Sequence, residues 1–446
     1  MPFFLPLHQF KIGKKMNMKW AISLCLLLSS SVVSAQTSLE EKAFNLNEVR
    51  SLVEKNRSII IQHLNQEIAS ERLEQRKSER LPELSLGGDG YFKNVTPLGT
   101  SVPNDNSLLY HFNISSEFDL YTGGKHTYAI ERKLNEKLMS EEELKKTQQE
   151  VELKAYILLY DLHRNYEYRN FVRSSIHLRE KEYERINQLY QNGLVLKSDL
   201  LRSKLDITDL QKDEVAISNS IDILSDQLCV LLGMGKLNTI KPALEKDLGY
   251  KVNESFEEMF QYALQNSPVL KIHRIQQDNA ETELKEIRSA QRPNVKLYAQ
   301  YGVGSPLQPK TYDHQLGGEI GAKINFSLSS FYKTKHQIKA QKQKIIQEQW
   351  KMSEEEENLR NRIFELYTRY NESLINIDQA LQKIDMSKES NRILTNSYFN
   401  QQALLIDVLE SETKAMEASF EWVEAVVNSQ KYYWALKQIC GYMQMR

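Results

Sequence analysis

The stretch Leu84-Ser85-Leu86-Gly87-Gly88-Asp89-Gly90-Tyr91-Phe92-Lys93 decides how the chain is read. On an extended backbone Leu84, Leu86, Gly88, Gly90 and Phe92 fall on one side, and Ser85, Asp89 and Lys93 on the other. Side chains alternate across a strand with a period of two, so the pattern predicts a strand with one apolar and one polar face. Downstream, Phe112, Ile114, Ser116, Phe118 and Leu120 alternate with Asn113, Ser115, Glu117 and Asp119. Segment 94–110, rich in Pro, Gly, Asn and Ser, reads as the loop between them. The predicted strands, 84–93 and 111–120, are about ten residues long, the length that crosses a bilayer obliquely.

The pattern returns later in the chain. Val295, Leu297, Ala299, Tyr301 and Val303 alternate with Lys296, Tyr298 and Gln300. Leu316, Gly318, Ile320, Ala322, Ile324 and Phe326 alternate with Glu319, Lys323 and Asn325. These predict strands over 294–303 and 315–326, joined by a loop at 304–314. Other positions recur with them. Asn56 and His63 return as Asn266 and His273, Leu73, Ser78 and Pro82 as Leu284, Ser289 and Pro293, and Phe118 as Phe326. Tyr190 and Asp199 return as Tyr398 and Asp407, and Cys229 as Cys440, every offset lying between 208 and 211 residues. A collinear set of this kind is the mark of an internal duplication, with halves at 36–233 and 234–446.

Outside the strands the chain reads as long helix. One helix is predicted over about 45–80, stopped by Pro82, which lacks an amide donor and restricts the residue before it. Ile363, Tyr367, Tyr370, Leu374, Ile377, Leu381 and Ile384 step by four and three, a heptad seam. Leu144, Val151, Ala155, Leu158 and Leu162, and on the returning helix Ile217, Ile221, Leu224, Leu228 and Leu231, follow the same spacing. A helix from Thr122 to Gln191 spans on the order of 100 Å. The runs Glu141–Glu143 and Glu354–Glu357 are solvated helix faces.

Composition narrows the class. With 58 Lys+Arg against 59 Asp+Glu there is no basic excess for a nucleic-acid partner. Only 17 Gly and 10 Pro among 446 residues agree with long unbroken elements. Lys14, Lys15 and Lys19 precede the apolar run Trp20–Val33, which ends in Val33-Ser34-Ala35. This predicts an export signal over residues 1–35, and the run is short for a membrane span. Gln36, not Cys, follows the cleavage point, so no lipid anchor is expected. Cys25 leaves with the signal, and Cys229 and Cys440 remain.

Four strands cannot leave a sheet edge in lipid, because every backbone polar group at membrane depth needs a partner. Single-chain barrels start at about eight strands. Three copies of this chain would supply twelve strands and close the barrel, and their helices would find neighbours around the same ring. The fold class expected is therefore mainly α with a membrane β-barrel: an internally duplicated chain with a long helical coiled-coil barrel and four β-strands per chain.

The order helix, strand, strand, long helix, returning helix, repeated once, resembles the outer membrane efflux protein family typified by TolC. The likeness runs from about Asn45 to Met443. It is carried by Leu120-Tyr121-Thr122-Gly123-Gly124-Lys125 at the strand-to-helix turn, by Tyr190-Gln191-Asn192-Gly193 leading into Ser198-Asp199-Leu200-Leu201, and by Tyr398 to Leu409. Asp119 stands where the family often has Pro, Ser329-Ser330-Phe331-Tyr332 where it has Gly-Gly, and Gln401 where Gly is usual. The resemblance implies a homotrimeric outer-membrane duct with a periplasmic helical tunnel, the exit path of a tripartite efflux or type I secretion system. The implied partners are a periplasmic membrane fusion (adaptor) protein, an inner-membrane transporter of RND or ABC type, and outer-membrane lipid. It also implies that Asp407 and Glu410 form the periplasmic gate, and that Tyr398 and Asp199 link neighbouring coils at the tip, with Tyr190 and Gly193 in the adjoining turn. Cys229 and Cys440, on different helices of the two halves, are expected as free thiols.

Asp407-Val408-Leu409-Glu410 also has the spacing of a helix N-cap and its N3 residue, a structural role compatible with the first. No metalloprotease, phosphate-loop, paired-cysteine or nucleophile-elbow motif occurs. His63 and His273 lack a second ligand at metal spacing. The chain thus reads as a non-enzyme without cofactor or metal, and no His- or Met-rich tract points to metal cargo; drug, metal and protein export all remain open, and the resemblance alone favours small molecules as the load. A periplasmic coiled-coil scaffold without a channel would explain the heptads but not four bilayer-length strands.

Overall fold

The computed structural model describes residues 42–95, 105–235, 239–244, 248–304 and 315–441; the expected export segment and most of the two strand-to-strand loops lie outside them. The first half begins with β1 (Lys42–Phe44), α1 (Leu46–Val53), α2 (Arg57–Ser78), β2 (Glu83–Val95) and β3 (Asp105–Tyr121). The 67-residue α3 (Lys125–Gln191) and the returning α4 (Lys197–Leu231) follow. The second half runs β4 (Ile240–Pro242), α5 (Phe256–Asn266), α6 (Pro268–Ser289), β5 (Asn294–Gly304), β6 (Gln315–Asn325), α7 (Ser330–Lys333), α8 (Lys335–Phe399) and α9 (Leu405–Ile439). Among the described residues no helix is long and apolar enough to cross a membrane.

The single helix read over 45–80 is two helices. Asn56 caps α2 by accepting from the Ser58 amide at 2.8 Å, and its Nδ2 donates to the Leu231 carbonyl at 2.6 Å. The break is therefore a docking point for the end of α4. The second half breaks at Ser267, where Pro268 occupies the first helical position without needing an amide partner. Gly233 and Gly441, both left-handed, close the returning helices against these breaks: a Cβ would lie 2.6 Å from the Lys55 carbonyl and 3.0 Å from that of Asn266.

The helices lie side by side in four lanes. α4 and α2, end to end, flank α3; α9 and α6 flank its other side; α8 packs outside α6 and α9. The upper core gathers Val49 and Val53 of α1, Tyr156, Leu159, Tyr160 and Leu162 of α3, and Ile221 and Leu228 of α4. Cys229 belongs to it, whereas Cys440 packs with Met259, Leu359, Ile363 and Leu436 in a separate core. Neither is in a disulfide, and burial pushes the Cys440 thiol up to about 12.

The seam read on α8 is partly displaced. Ile363 and Tyr370 are buried, but Leu374 and Leu381 are exposed, and Ser373 and Ala380 take the buried positions. Small residues there bring α9 close, which rotates the two leucines towards the free flank of α8. β1 and β4, which pair in parallel at Lys42–Ile240 through Phe44–Pro242, were not foreseen.

The sheet has the order β2-β3-β5-β6, every pair antiparallel. Its register places Leu84, Leu86, Phe112, Ile114, Tyr301, Leu297, Leu316, Ile320 and Ile324 on one face. Leu86 and Ile320 are each 86% exposed, so this apolar face has no cover within the chain. The opposite face is polar: Ser85 and Ser115 hydroxyls meet at 2.7 Å, and Gln300 donates to Glu319 at 2.7 Å. β2 and β6 are edges.

Candidate functional site

At the far end from the sheet, α3 turns into α4 through residues 192–196 and α8 into α9 through 400–404. Both turns close the same way. The Leu194 amide donates to the Leu189 carbonyl and the Gly193 amide to that of Tyr190, both at 2.9 Å. Gln402 donates to Ser397 at 2.8 Å and Gln401 to Tyr398 at 2.9 Å. This pair of bonds satisfies the last helix carbonyls and needs a left-handed residue after the cap. Gly193 supplies it at φ 73°, and Gln401, without glycine's freedom, at φ 61°.

Ile186, Tyr398, Leu405 and Val408 form a small core behind the turns, and the Arg185 guanidinium lies 3.5 Å over the Phe399 ring. Tyr398 is buried there, and its hydroxyl makes no hydrogen bond among the described residues. Burial, then the nearby Asp199 charge, holds that hydroxyl above the usual tyrosine range. The two residues are thus neighbours within one chain. Tyr190 is partly exposed on the last turn of α3.

Asp407 is not the N-cap of α9. Leu404 holds that position, and Asp407, at N3, accepts from the Leu404 amide at 3.2 Å. Asp199 occupies the same place at the start of α4, after the cap residue Leu196. Asp407 and Glu410 are both exposed, and with Lys414, Glu417 and Glu421 they line one face of α9. Their side chains can therefore meet water and solutes rather than core.

A buried charge cluster lies just behind the tip. Arg179 of α3, 7% exposed, pairs through Nε with Asp206 of α4 at 2.9 Å and through Nη1 with Glu412 of α9. Glu182 stands 4.0 Å away. Burial lowers the Arg179 pKa and raises those of Asp206 and Glu182, each opposed in part by the attraction among them. Three helices of both halves are pinned by one guanidinium. Sequence reading passed over it because Arg179 and Glu412 sit 233 residues apart in strongly charged helices.

At the sheet end, Gly123 and Gly124 turn the chain from β3 into α3 with φ of 67° and 95°. A Cβ on Gly123 would stand 2.7 Å from the Ser289 carbonyl, and Arg292 Nη1 donates to the Gly123 carbonyl at 3.0 Å. Asp119 lies 3.0 Å from His126 Nε2 and 3.4 Å from Lys296 Nζ, tying the strand end to the first turn of α3. Among the described residues, no group of three or more His, Cys, Asp or Glu could hold a metal ion.

The architecture is that of the outer-membrane channel proteins. It superposes on the outer membrane protein VceC of Vibrio cholerae with a TM-score of 0.75 at 16% identity, over 89% of this chain and 96% of that one. CusC gives a TM-score of 0.78 at 14% identity, over 89% and 92%. The CmeC outer membrane channel of Campylobacter jejuni gives 0.71 at 14%, over 89% and 85%. Residues 49–234, most of the first half, match the model of the family described as outer membrane efflux protein. No curated protein sequence matches the chain. By fold over most of its length the chain is similar to these outer-membrane proteins, and over 49–234 its sequence is similar to the outer membrane efflux protein family.

Proposed function

We propose that three copies of the chain close into a twelve-stranded outer-membrane barrel continued by a periplasmic helical tunnel, a passive exit duct of a tripartite system. One observation carries this reading: the same two flanks are open at every level of the chain. β2 is the free edge on one side and β6 on the other. Below the sheet, the flank formed by α2 and α4 exposes Ile60, Ile61, Leu64, Leu205 and Ile223, and the α8 flank exposes Trp350, Phe364, Ile375 and Met386. A cyclic head-to-tail contact joins one flank to the other and closes after a fixed number of copies. It pairs the strand edges and covers both apolar stripes at once. The uncovered apolar sheet face then meets lipid, which a soluble scaffold would have to hide from water.

In this reading substrates arrive from an RND or ABC transporter through a periplasmic adaptor, with small molecules as the favoured cargo, and the chain performs no catalysis. The repeats are proposed as 36–233 and 234–446, each supplying half of one protomer's share of the ring. Asp407 and Glu410 ring the tip entrance as the gate, and Tyr398, Asp199, Tyr190 and Gly193 hold its shape. Expressed in a Gram-negative host and extracted in detergent, the protein is expected in the outer membrane as a particle of three chains. A soluble periplasmic monomer or dimer would overturn the duct. In planar bilayers, Asp407→Asn with Glu410→Gln should change conductance and cation preference; unchanged currents would remove the gate role and leave the duct.

A further inference from the structure

The polar face of the sheet carries its charges in rows. Nearest the helices, Asp119 faces Lys296, which faces Lys323. In the next row Glu83 faces Glu117, followed by Tyr298 and Gly321. Above it Ser85, Ser115, Gln300 and Glu319 stand in line, then Gly87, Asn113, Gly302 and Gly317, then Asp89 beside His111. Lys296 is shared by Glu117 and Asp119 at 3.4 Å each, so both lysines sit at the helix end of the sheet.

Two like-charged pairs face each other directly across strands, Glu83 with Glu117 and Lys296 with Lys323. Such pairs weaken a sheet, and alternation alone would be served by serine or asparagine, as the row of Ser85 and Ser115 shows. Five carboxylates stand against two lysines, a net charge of −3 per chain on this face among the described side chains. Three chains would bring −9 into one lumen, with a positive collar at the helix end and a negative wall above it.

We infer that the barrel wall is itself a cation filter, set by Glu83, Asp89, Glu117, Asp119 and Glu319, in series with the tip and separate from it. The inference rests on the duct reading, which turns this face inward. The wall acts through the field of the lumen rather than by binding, so its reach follows the screening length, about 30 Å at 0.01 M salt and about 3 Å at 1 M. The filter therefore works in dilute salt and fades in concentrated salt.

The test uses the full-length trimer carrying Asp407→Asn and Glu410→Gln, so that the tip acids are silent. In planar bilayers under a dilute KCl gradient, its reversal potential should still report cation preference. Adding Glu83→Gln, Asp89→Asn and Glu319→Gln brings the wall to zero net charge and should lower the cation-to-anion permeability ratio at least about twofold, towards unity. In 1 M salt the two proteins should behave alike. A heat-resistant trimer band shows that the substituted barrel is assembled. A reversal potential already at zero in the tip variant, or unmoved by the wall substitutions, overturns the filter. Trimers that never conduct in any form overturn the duct reading instead.

Discussion

At the step from sheet to long helix the first half uses Gly123 and Gly124, both left-handed, whereas the second uses Ser329 and Ser330 and inserts the single turn α7. At the tip the halves follow one path, yet Gly193 is answered by Gln401, which takes the same left-handed φ. Where the backbone route could change, the second half changed it. Where two helix ends must turn back within five residues, the route stayed and the side chain bears the strain. Charge differs in the same uneven way. Asp199 and Asp407 are equivalent, but Arg202 stands where the second half has Glu410, and Lys204 where it has Glu412. Glu410 at the tip and Glu412, the α9 partner of Arg179, thus have no acidic counterpart in the first half, so the two halves are not equivalent in charge.

The largest effect is expected from Arg179→Leu, which leaves Asp206 and Glu412 buried without their cation. That should cost about 3–5 kcal/mol and speed amide exchange on both sides of the tip. If the link between halves is part of the cause, Arg179→Leu with Glu412→Leu should recover part of the loss, Asp206 still lacking its cation; no recovery would mean the guanidinium matters mainly for packing and for Asp206. Next, Gly123→Ala combines a forbidden φ with a clash against Ser289, for a loss of about 2 kcal/mol or more, read as reduced trimer yield. The matching second-half change, Ser329→Ala, should stay within about 0.5 kcal/mol, and equal losses would erase the contrast drawn between the junctions. Smallest is the exchange at the turns. Gln401→Gly should stabilise the chain by up to about 1 kcal/mol and Gly193→Gln should destabilise it by a similar amount, both measured by thermal unfolding in detergent.

Much of this fold was legible because strand alternation and heptad spacing are local signals that burial enforces. Leu84 to Phe92 and Val295 to Val303 declare two-faced strands whatever lies beside them, and the recurrence of Tyr190 and Asp199 marks where the helices turn. The break at Asn56 was passed over, because a lone asparagine marks only a possible cap and the hydrogen bond that seats it reaches Leu231, 175 residues away. Nor was the rotation that exposes Leu374, which depends on how closely α9 approaches. For the candidate site the exposed acids Asp407 and Glu410 stood out through resemblance, while Arg179 did not, because one arginine in a charged helix carries no mark of burial. The charge rows of the sheet needed the register: Glu83 and Glu117 belong to different strands, and only pairing sets them side by side.

Each returning helix ends by seating a glycine, Gly233 or Gly441, on the backbone just ahead of its own half's second helix. Each half is thereby latched shut on itself, and the halves are held together by the β3–β5 ladder and by the packing of α3 on α6 and α9. A chain cleaved between Leu232 and Ser255 is expected to stay joined through that ladder and that packing, its two halves held by their seams rather than by the continuity of the polypeptide.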